Sequence, residues 1–183
     1  MEATLCSSNA HKARELERLL PGWTITPLDR DDYPPETAAT YYENARLKAE
    51  FGRAHSAGWV LAEDSGLEVA ALGGRPGVHS ARYAPEGAPA IAKLLAELGD
   101  AEERTARYVS ELVLLAPDGT EYRGTGTLDG SIALEPSGTE GFGFDPVFIP
   151  DGEERTVAEL GDAWKALNSH RARAARALLA AST

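Results

Sequence analysis

The sequence predicts an α/β or α+β fold built on a mixed sheet, and three observations carry this. The first half alternates strand and helix patterns, a hairpin follows, and the chain closes on a helical pattern. At 183 residues with 43% apolar content, residues 1–183 suffice for one domain with a sizeable core, as two lobes around a shared sheet. The handoff from alternating elements to a hairpin suggests a cleft between the lobes, the usual place for a ligand.

Each element has a local reason. Ala3 to Cys6 reads as a short strand, and Ala13, Leu16, Leu19 and Leu20 form the apolar stripe of a helix from about Ala10 to Leu20. Ser7-Ser8-Asn9 before it are all good N-caps, and Pro21-Gly22 stops it. A second strand from Trp23 to Thr26 leads into a polar loop containing Glu36, then a helix from Thr40 to Ala57 ended by Gly58. Trp59-Val60-Leu61 begins a buried strand, which the sequence predicts to end by delivering Glu63, Asp64 and Ser65 into a turn at Gly66. Gly73 to Gly77 reads as an irregular loop, and Pro89 to Leu98 as a helix closed by Gly99. Thr105 to Leu115 and Glu121 to Leu128 form a hairpin about Pro117-Asp118-Gly119. A glycine- and aromatic-rich loop, Gly138 to Ile149, runs into a strand, and one helix from about Asp162 to Ala180 ends the chain.

The totals exclude several classes. A net charge of −11 opposes generic binding to nucleic acid or to anionic membrane, both of which need a basic field. The single cysteine, Cys6, rules out an internal disulfide framework and fits a reducing cytoplasm, with small core filler as its role. No stretch approaches 18 apolar residues and no signal-peptide pattern opens the chain, so the expectation is a soluble cytoplasmic protein. Only four of the 18 basic residues are lysines, at Lys12, Lys48, Lys93 and Lys165. A lysine is a compact point charge that suits a phosphate oxygen.

Five places bear on chemistry. Strand, Ser7 to Lys12, then helix is an arrangement that exposes N–H groups to an anion, with the Lys12 charge in the first turn; as a bare pattern it fits a plain N-cap better. Glu63-Asp64 can hold a divalent cation or take a proton from water, or form an acidic, solvated strand terminus; Glu36 is a second candidate ligand that nothing local distinguishes from Asp29, Asp31 and Asp32. Asn44 and Lys48, one turn apart, ordinarily form a solvated face. Gly141-Phe142-Gly143-Phe144-Asp145-Pro146 can offer a ring face to a planar base, or can be core aromatics in a glycine-containing strand. Lys165, Ser169, His170 and Arg171 enter the last helix where the dipole gives no reason for cations.

These residues match a known family in order. The chain resembles the inosine triphosphate pyrophosphatase family through Ser7-Ser8-Asn9-Ala10-His11-Lys12, Glu36-Thr37, Glu43-Asn44-Ala45 with Lys48-Ala49, Glu63 to Leu67, Gly141 to Pro146 and Ser169-His170-Arg171. Leu72-Gly73-Gly74, Pro76-Gly77 and Ser80 to Tyr83 also fit, so the match spans essentially the whole chain. The resemblance implies a long central mixed sheet flanked by helices, two lobes with the active-site cleft between them, and a homodimer. It implies Mg2+-dependent hydrolysis of inosine, deoxyinosine and xanthosine triphosphates to monophosphate and pyrophosphate. By the same resemblance Ser7, Ser8, Asn9, Ala10, His11 and Lys12 cradle the triphosphate, with Asn9 and Lys12 in direct contact. Glu36 and Asp64 match the magnesium carboxylates, and Asp64 also the acceptor of the attacking water's proton. Ser65 touches substrate, and Lys48 neutralises phosphate charge. Phe142, Gly143, Phe144 and Asp145 match the base-binding segment, and Lys165, His170 and Arg171 the groups around the purine.

The chain departs from the family pattern at Ser8 and Ala38, where glycine is usual, and at Trp164, where an acidic residue is usual. Two other readings use the same residues: a pyrophosphatase for other nucleotides, and a nucleotide sensor without turnover. Glu36, Asp64, Lys12 and Lys48 together argue against a sensor, because a pure binder has little use for a general base.

Overall fold

A computed structural model describes residues 1–7, 9–30 and 32–182. The chain begins with β1 (Glu2–Cys6), α1 (Ala10–Leu19), β2 (Thr24–Pro27) and α2 (Tyr41–Arg53). The long strand β3 (Trp59–Val69) leads through short 3-10 turns to α3 (Ala88–Leu98). Strands β4 (Thr105–Leu115), β5 (Glu121–Ile132) and β6 (Phe148–Pro150) follow, and α4 (Val157–Asn168) and α5 (His170–Ala181) close the chain. The strands form one sheet in the order β2-β1-β3-β4-β5-β6. β1 pairs in parallel with β2 and β3 while β5 and β6 are antiparallel, so the sheet is mixed. Parallel neighbours need crossovers, which α1 and α2 supply.

The chain divides into two compact units, Met1–Asp64, Ser110–Gly126 and Arg171–Thr183 forming the first, Ser65–Val109 and Thr127–His170 the second. In the first unit the pleat sorts side chains between two cores. Leu5, Leu61, Leu112 and Leu114 pack with Leu16 of α1 and Ala174, Ala175 and Leu178 of α5. Their neighbours Cys6, Val60, Ala62 and Val113 pack with Ala45 and Ala49 of α2. Gly124 permits α5 to lie directly on β5, since a Cβ there would come within 2.2 Å of the Ala174 carbonyl oxygen. The second unit has its own core, where Leu67 and Val69 of β3 and Tyr108 of β4 meet Ile91 and Leu94 of α3, with Leu128, Val147 and Phe148. Among the described residues no helix is long and apolar enough to cross a membrane.

Three sequence expectations change. First, β3 does not end at Asp64 but runs on through Ser65-Gly66 to Val69, so Glu63 and Asp64 lie in mid-strand. Gly66 is buried within the strand and makes no turn there. Second, α2 stops at Arg53 rather than reaching Ala57. The Arg53 guanidinium takes the carbonyls of Gly58, Leu115 and Ala116, tying the next residues into a loop. Third, the closing helix is two helices, because Ser169 adopts extended backbone (φ −63°, ψ 158°) between α4 and α5. The first of these begins earlier than predicted, at a capping box in which Thr156 and Glu159 satisfy each other's backbone N–H.

Candidate active site

At the start of α1 the N-cap is Asn9. Its side-chain oxygen accepts from the N–H groups of His11 (2.9 Å) and Lys12 (3.1 Å), and its own N–H donates to Ser7 Oγ at 3.2 Å. Ala10 and His11 are exposed, Ser7 and Lys12 half-buried, and Ser8 lies outside the described residues. A cation in the first turn opposes the helix dipole. Lys12 is compensated by Glu63, whose Oε2 lies 3.3 Å from its Nζ.

The densest cluster of this unit surrounds Asp64. Lys48 Nζ donates to Asp64 Oδ1 at 3.1 Å and to Glu36 Oε1 at 2.6 Å, so one ammonium draws two carboxylates together. Asn44, one helical turn before Lys48, donates to the other Asp64 oxygen at 3.2 Å and accepts from the Ala38 N–H at 3.0 Å. The face of α2 expected to be solvated is therefore buried, with Asn44 at 0% and Lys48 at 7% exposure. Burial pushes the Asp64 carboxyl above its ordinary range, against the opposing pull of Lys48 and Lys12. Burial lowers the Lys48 ammonium, and Asp64 and Glu36 more than offset this, leaving it raised.

Glu63 points to the opposite side of β3. It accepts from Ser110 Oγ and from Arg171 Nε, both at 2.8 Å. Arg171 is 2% exposed and also binds Glu15 of α1. Burial opposes its charge, but Glu63 and Glu15 outweigh that and raise its pKa. The structure thus gives Arg171 one buried carboxylate partner, Glu63, and one half-buried partner, Glu15, in the first unit.

The second unit gathers the other residues. Asp145 is nearly buried at 4% exposure, and its Oδ2 accepts from Lys165 Nζ (2.8 Å) and the Phe142 N–H (2.9 Å). The Lys165 ammonium also lies 4.7 Å from the centre of the Phe142 ring. Gly143 adopts φ 63° between the two phenylalanines, and Gly141 φ 77°, where a Cβ would meet Asp145 Oδ2 at 2.2 Å. Phe144 belongs to the core rather than to a surface platform. Tyr108, which no motif singled out, stacks on His170 with ring centres 4.5 Å apart and planes 10° from parallel. Its hydroxyl donates to Asp145 Oδ1 at 3.4 Å. Ser65, half-buried on β3, opens this unit.

Sequence reasoning did not pick out Tyr108, Ser110 or Glu15 as site-forming. A tyrosine alternating with apolar residues in a strand carries no mark distinguishing it from core, and Glu15 reads as an ordinary helix-surface charge. Three of the four lysines sit against buried carboxylates, whereas the exposed Lys93 donates to a backbone carbonyl at Tyr83 and lies 4.0 Å from the exposed Glu97.

Among the described residues no group of three His, Cys, Asp or Glu side chains converges as a preformed cage. Glu36 and Asp64 nevertheless reach one common atom, Lys48 Nζ, and two hard carboxylates gathered around a cation are of a kind that suits a divalent metal ion.

Sheet order and clusters together define a mixed α/β protein that sets buried lysines against acceptor carboxylates. The chain belongs to the Ham1 family, whose profile matches residues 3–181. It is 43% identical over 184 residues to a Deinococcus deserti protein named dITP/XTP pyrophosphatase, covering 98% of this chain and 88% of the relative. A Deinococcus radiodurans protein of the same name is 44% identical over 183 residues, with 97% and 90% covered. Among solved structures, the Staphylococcus aureus Ham1 protein is similar at a TM-score of 0.85 and 36% identity, covering 98% of this chain and 97% of that one. The nucleoside-triphosphatase / dITP/XTP pyrophosphatase of Mycobacterium abscessus is similar at a TM-score of 0.76 and 40% identity, with 97% of each chain covered.

Proposed function

We propose that this chain hydrolyses noncanonical purine nucleoside triphosphates (inosine, deoxyinosine and xanthosine triphosphates) to the monophosphate and pyrophosphate, removing them from the nucleotide pool. The observation that carries this is the buried Asp64, held by Asn44 on one oxygen and by Lys48 on the other, with Glu36 drawn to the same ammonium. A triphosphate repels an electron-rich nucleophile, so its charge must be neutralised before water can attack. Lys12 and Lys48 supply that neutralisation, together with the positive dipole end of α1. Glu36 and Asp64 would hold Mg2+. When bound, the ion neutralises phosphate charge and acts as a Lewis acid toward the phosphoryl oxygens.

Asp64 accepts the proton of the attacking water at a carboxylate oxygen. Burial favours this role by raising the Asp64 pKa, and Lys48 and Lys12 oppose it, as a bound cation also would. The P–O bond between the α and β phosphates breaks, and pyrophosphate leaves with the electron pair. Base selection belongs to the second unit. Lys165 has donors only, so its ammonium suits the 6-oxo group of hypoxanthine or xanthine and not adenine's 6-amino group. Asp145, Phe142 and His170 complete that set. Two further parts of the reading, a homodimer and a cytoplasmic setting, rest on the family resemblance and on the single thiol.

The test is Asp64→Asn. Turnover of inosine triphosphate should fall at least about 100-fold while calorimetry still detects nucleotide binding. Full turnover in the variant would remove Asp64 from the role of proton acceptor.

A further inference from the structure

Tyr108 lies on β4 and is 7% exposed, and in the second unit it touches two of the groups assigned above to base recognition. Its ring stacks on His170 (4.5 Å, 10°) and its hydroxyl reaches Asp145 Oδ1 (3.4 Å). The ring is itself fixed from another direction by Phe148, 4.5 Å away and tilted by 42°. His170 and Asp145 come from different elements, the first residue of α5 and a 3-10 turn before β6. One side chain therefore registers both.

The geometry separates the two jobs. A stacked partner engages the imidazole face and leaves donation and acceptance to the ring edge, so the stack sets the plane in which His170 can hydrogen-bond. His170 follows the extended residue Ser169, where the backbone changes course, and its buried ring lies flat against Tyr108. The hydroxyl contact at 3.4 Å is long, so the ring carries more of the effect than the oxygen. Asp145 Oδ2 is committed to Lys165 and Phe142, and Tyr108 addresses the other oxygen.

We propose that Tyr108 is a positioning residue for base recognition, setting the plane of His170 and steadying Asp145 without touching the nucleotide. This rests on the pyrophosphatase reading above.

Tyr108→Phe and Tyr108→Leu in the full chain test it, with a melting curve for each. In the wild-type protein the His170 Hε1 resonance, identified among four histidines by its loss in His170→Gln, should carry the upfield shift of a stacked ring. That shift should persist in Tyr108→Phe and vanish in Tyr108→Leu. Tyr108→Leu should raise KM for inosine triphosphate roughly three- to tenfold with kcat little changed, and lower the kcat/KM preference for inosine triphosphate over ATP. Tyr108→Phe should stay within about twofold of wild type on both. An unchanged KM and preference in folded Tyr108→Leu would overturn the proposal. So would a large kcat loss in folded Tyr108→Phe, because the hydroxyl would then be reacting or touching substrate. If Tyr108→Leu does not fold, the wild-type resonance and Tyr108→Phe decide the matter. Absence of inosine triphosphate hydrolysis by the wild-type enzyme would instead sink the pyrophosphatase reading, and this role with it.

Discussion

Glu63 and Asp64 are adjacent in β3 and face opposite sides of it, Asp64 toward Lys48 and Asn44 of α2, Glu63 toward Arg171 and Ser110. The period of two in a strand makes this unavoidable. What reads in the sequence as a carboxylate pair is two separate devices, and removing either charge should have opposite consequences.

Glu63→Gln should destabilise the fold. It leaves the buried Arg171 with Glu15 as its remaining named carboxylate, and breaking a buried pair on one side costs roughly 3 kcal/mol. Urea unfolding at pH 7 measures this, and an unchanged midpoint would show the pair to be dispensable.

Asp64→Asn should unfold no earlier than wild type at pH 7 while losing turnover. Because the folded state raises the Asp64 pKa, the fold favours its neutral form. Its stability contribution is present below the unfolded pKa and lost as pH rises through the folded one, so at neutral pH the charge is a cost that asparagine removes. Urea midpoints for this variant at pH 7 and at pH 4 check the sign, since the gain should shrink as Asp64 in the wild type protonates. A variant clearly weaker than wild type at pH 7 would contradict it.

Cys6 should be inert in the native state. Burial pushes its thiol from 9.0 up to about 12, so the fold holds the neutral form where an unfolded chain would ionise. Its contribution is complete below pH 9 and decays above it by roughly 1.4 kcal/mol per pH unit until the folded thiol titrates. The stability difference between wild type and Cys6→Ala between pH 8.5 and 10.5 reads this slope, and a disulfide reagent should label Cys6 after unfolding and not before.

Gly52→Ala should destabilise by about 1–3 kcal/mol, since the new Cβ would fall 2.0 Å from Cys6 Sγ and 2.8 Å from Val60 Cγ1. Adding Cys6→Ala should recover part of the loss, giving a non-additive double mutant. Full additivity in thermal unfolding would place the strain elsewhere.

Chelation of divalent cations should stop turnover, and Glu36→Gln should raise the Mg2+ needed for half-maximal rate by about tenfold or more. Titration of rate against Mg2+ shows this. An unchanged requirement would take Glu36 out of the ion's site.

Much of this was legible in the residues. Alternating strand and helix patterns, Pro117-Asp118-Gly119 and the cap residues before Ala10 sufficed for the mixed sheet and several boundaries. The scarcity of lysine marked Lys12, Lys48 and Lys165. Gly66 misled because a glycine after polar residues resembles a turn, and only the sheet partners reveal that β3 continues. The break between α4 and α5 was signalled by Asn168-Ser169, both helix-capping types, within a pattern that otherwise reads as one helix. Tyr108 left no trace, because stacking on His170 is a tertiary relation across 62 residues of chain.

The most direct measurement is product analysis with purified protein and Mg2+, comparing inosine and xanthosine triphosphates with ATP and GTP. Monophosphate and pyrophosphate are expected from the first two and little from the others. Equal turnover of all four, diphosphate and phosphate as products, or tight binding without turnover would each contradict this expectation.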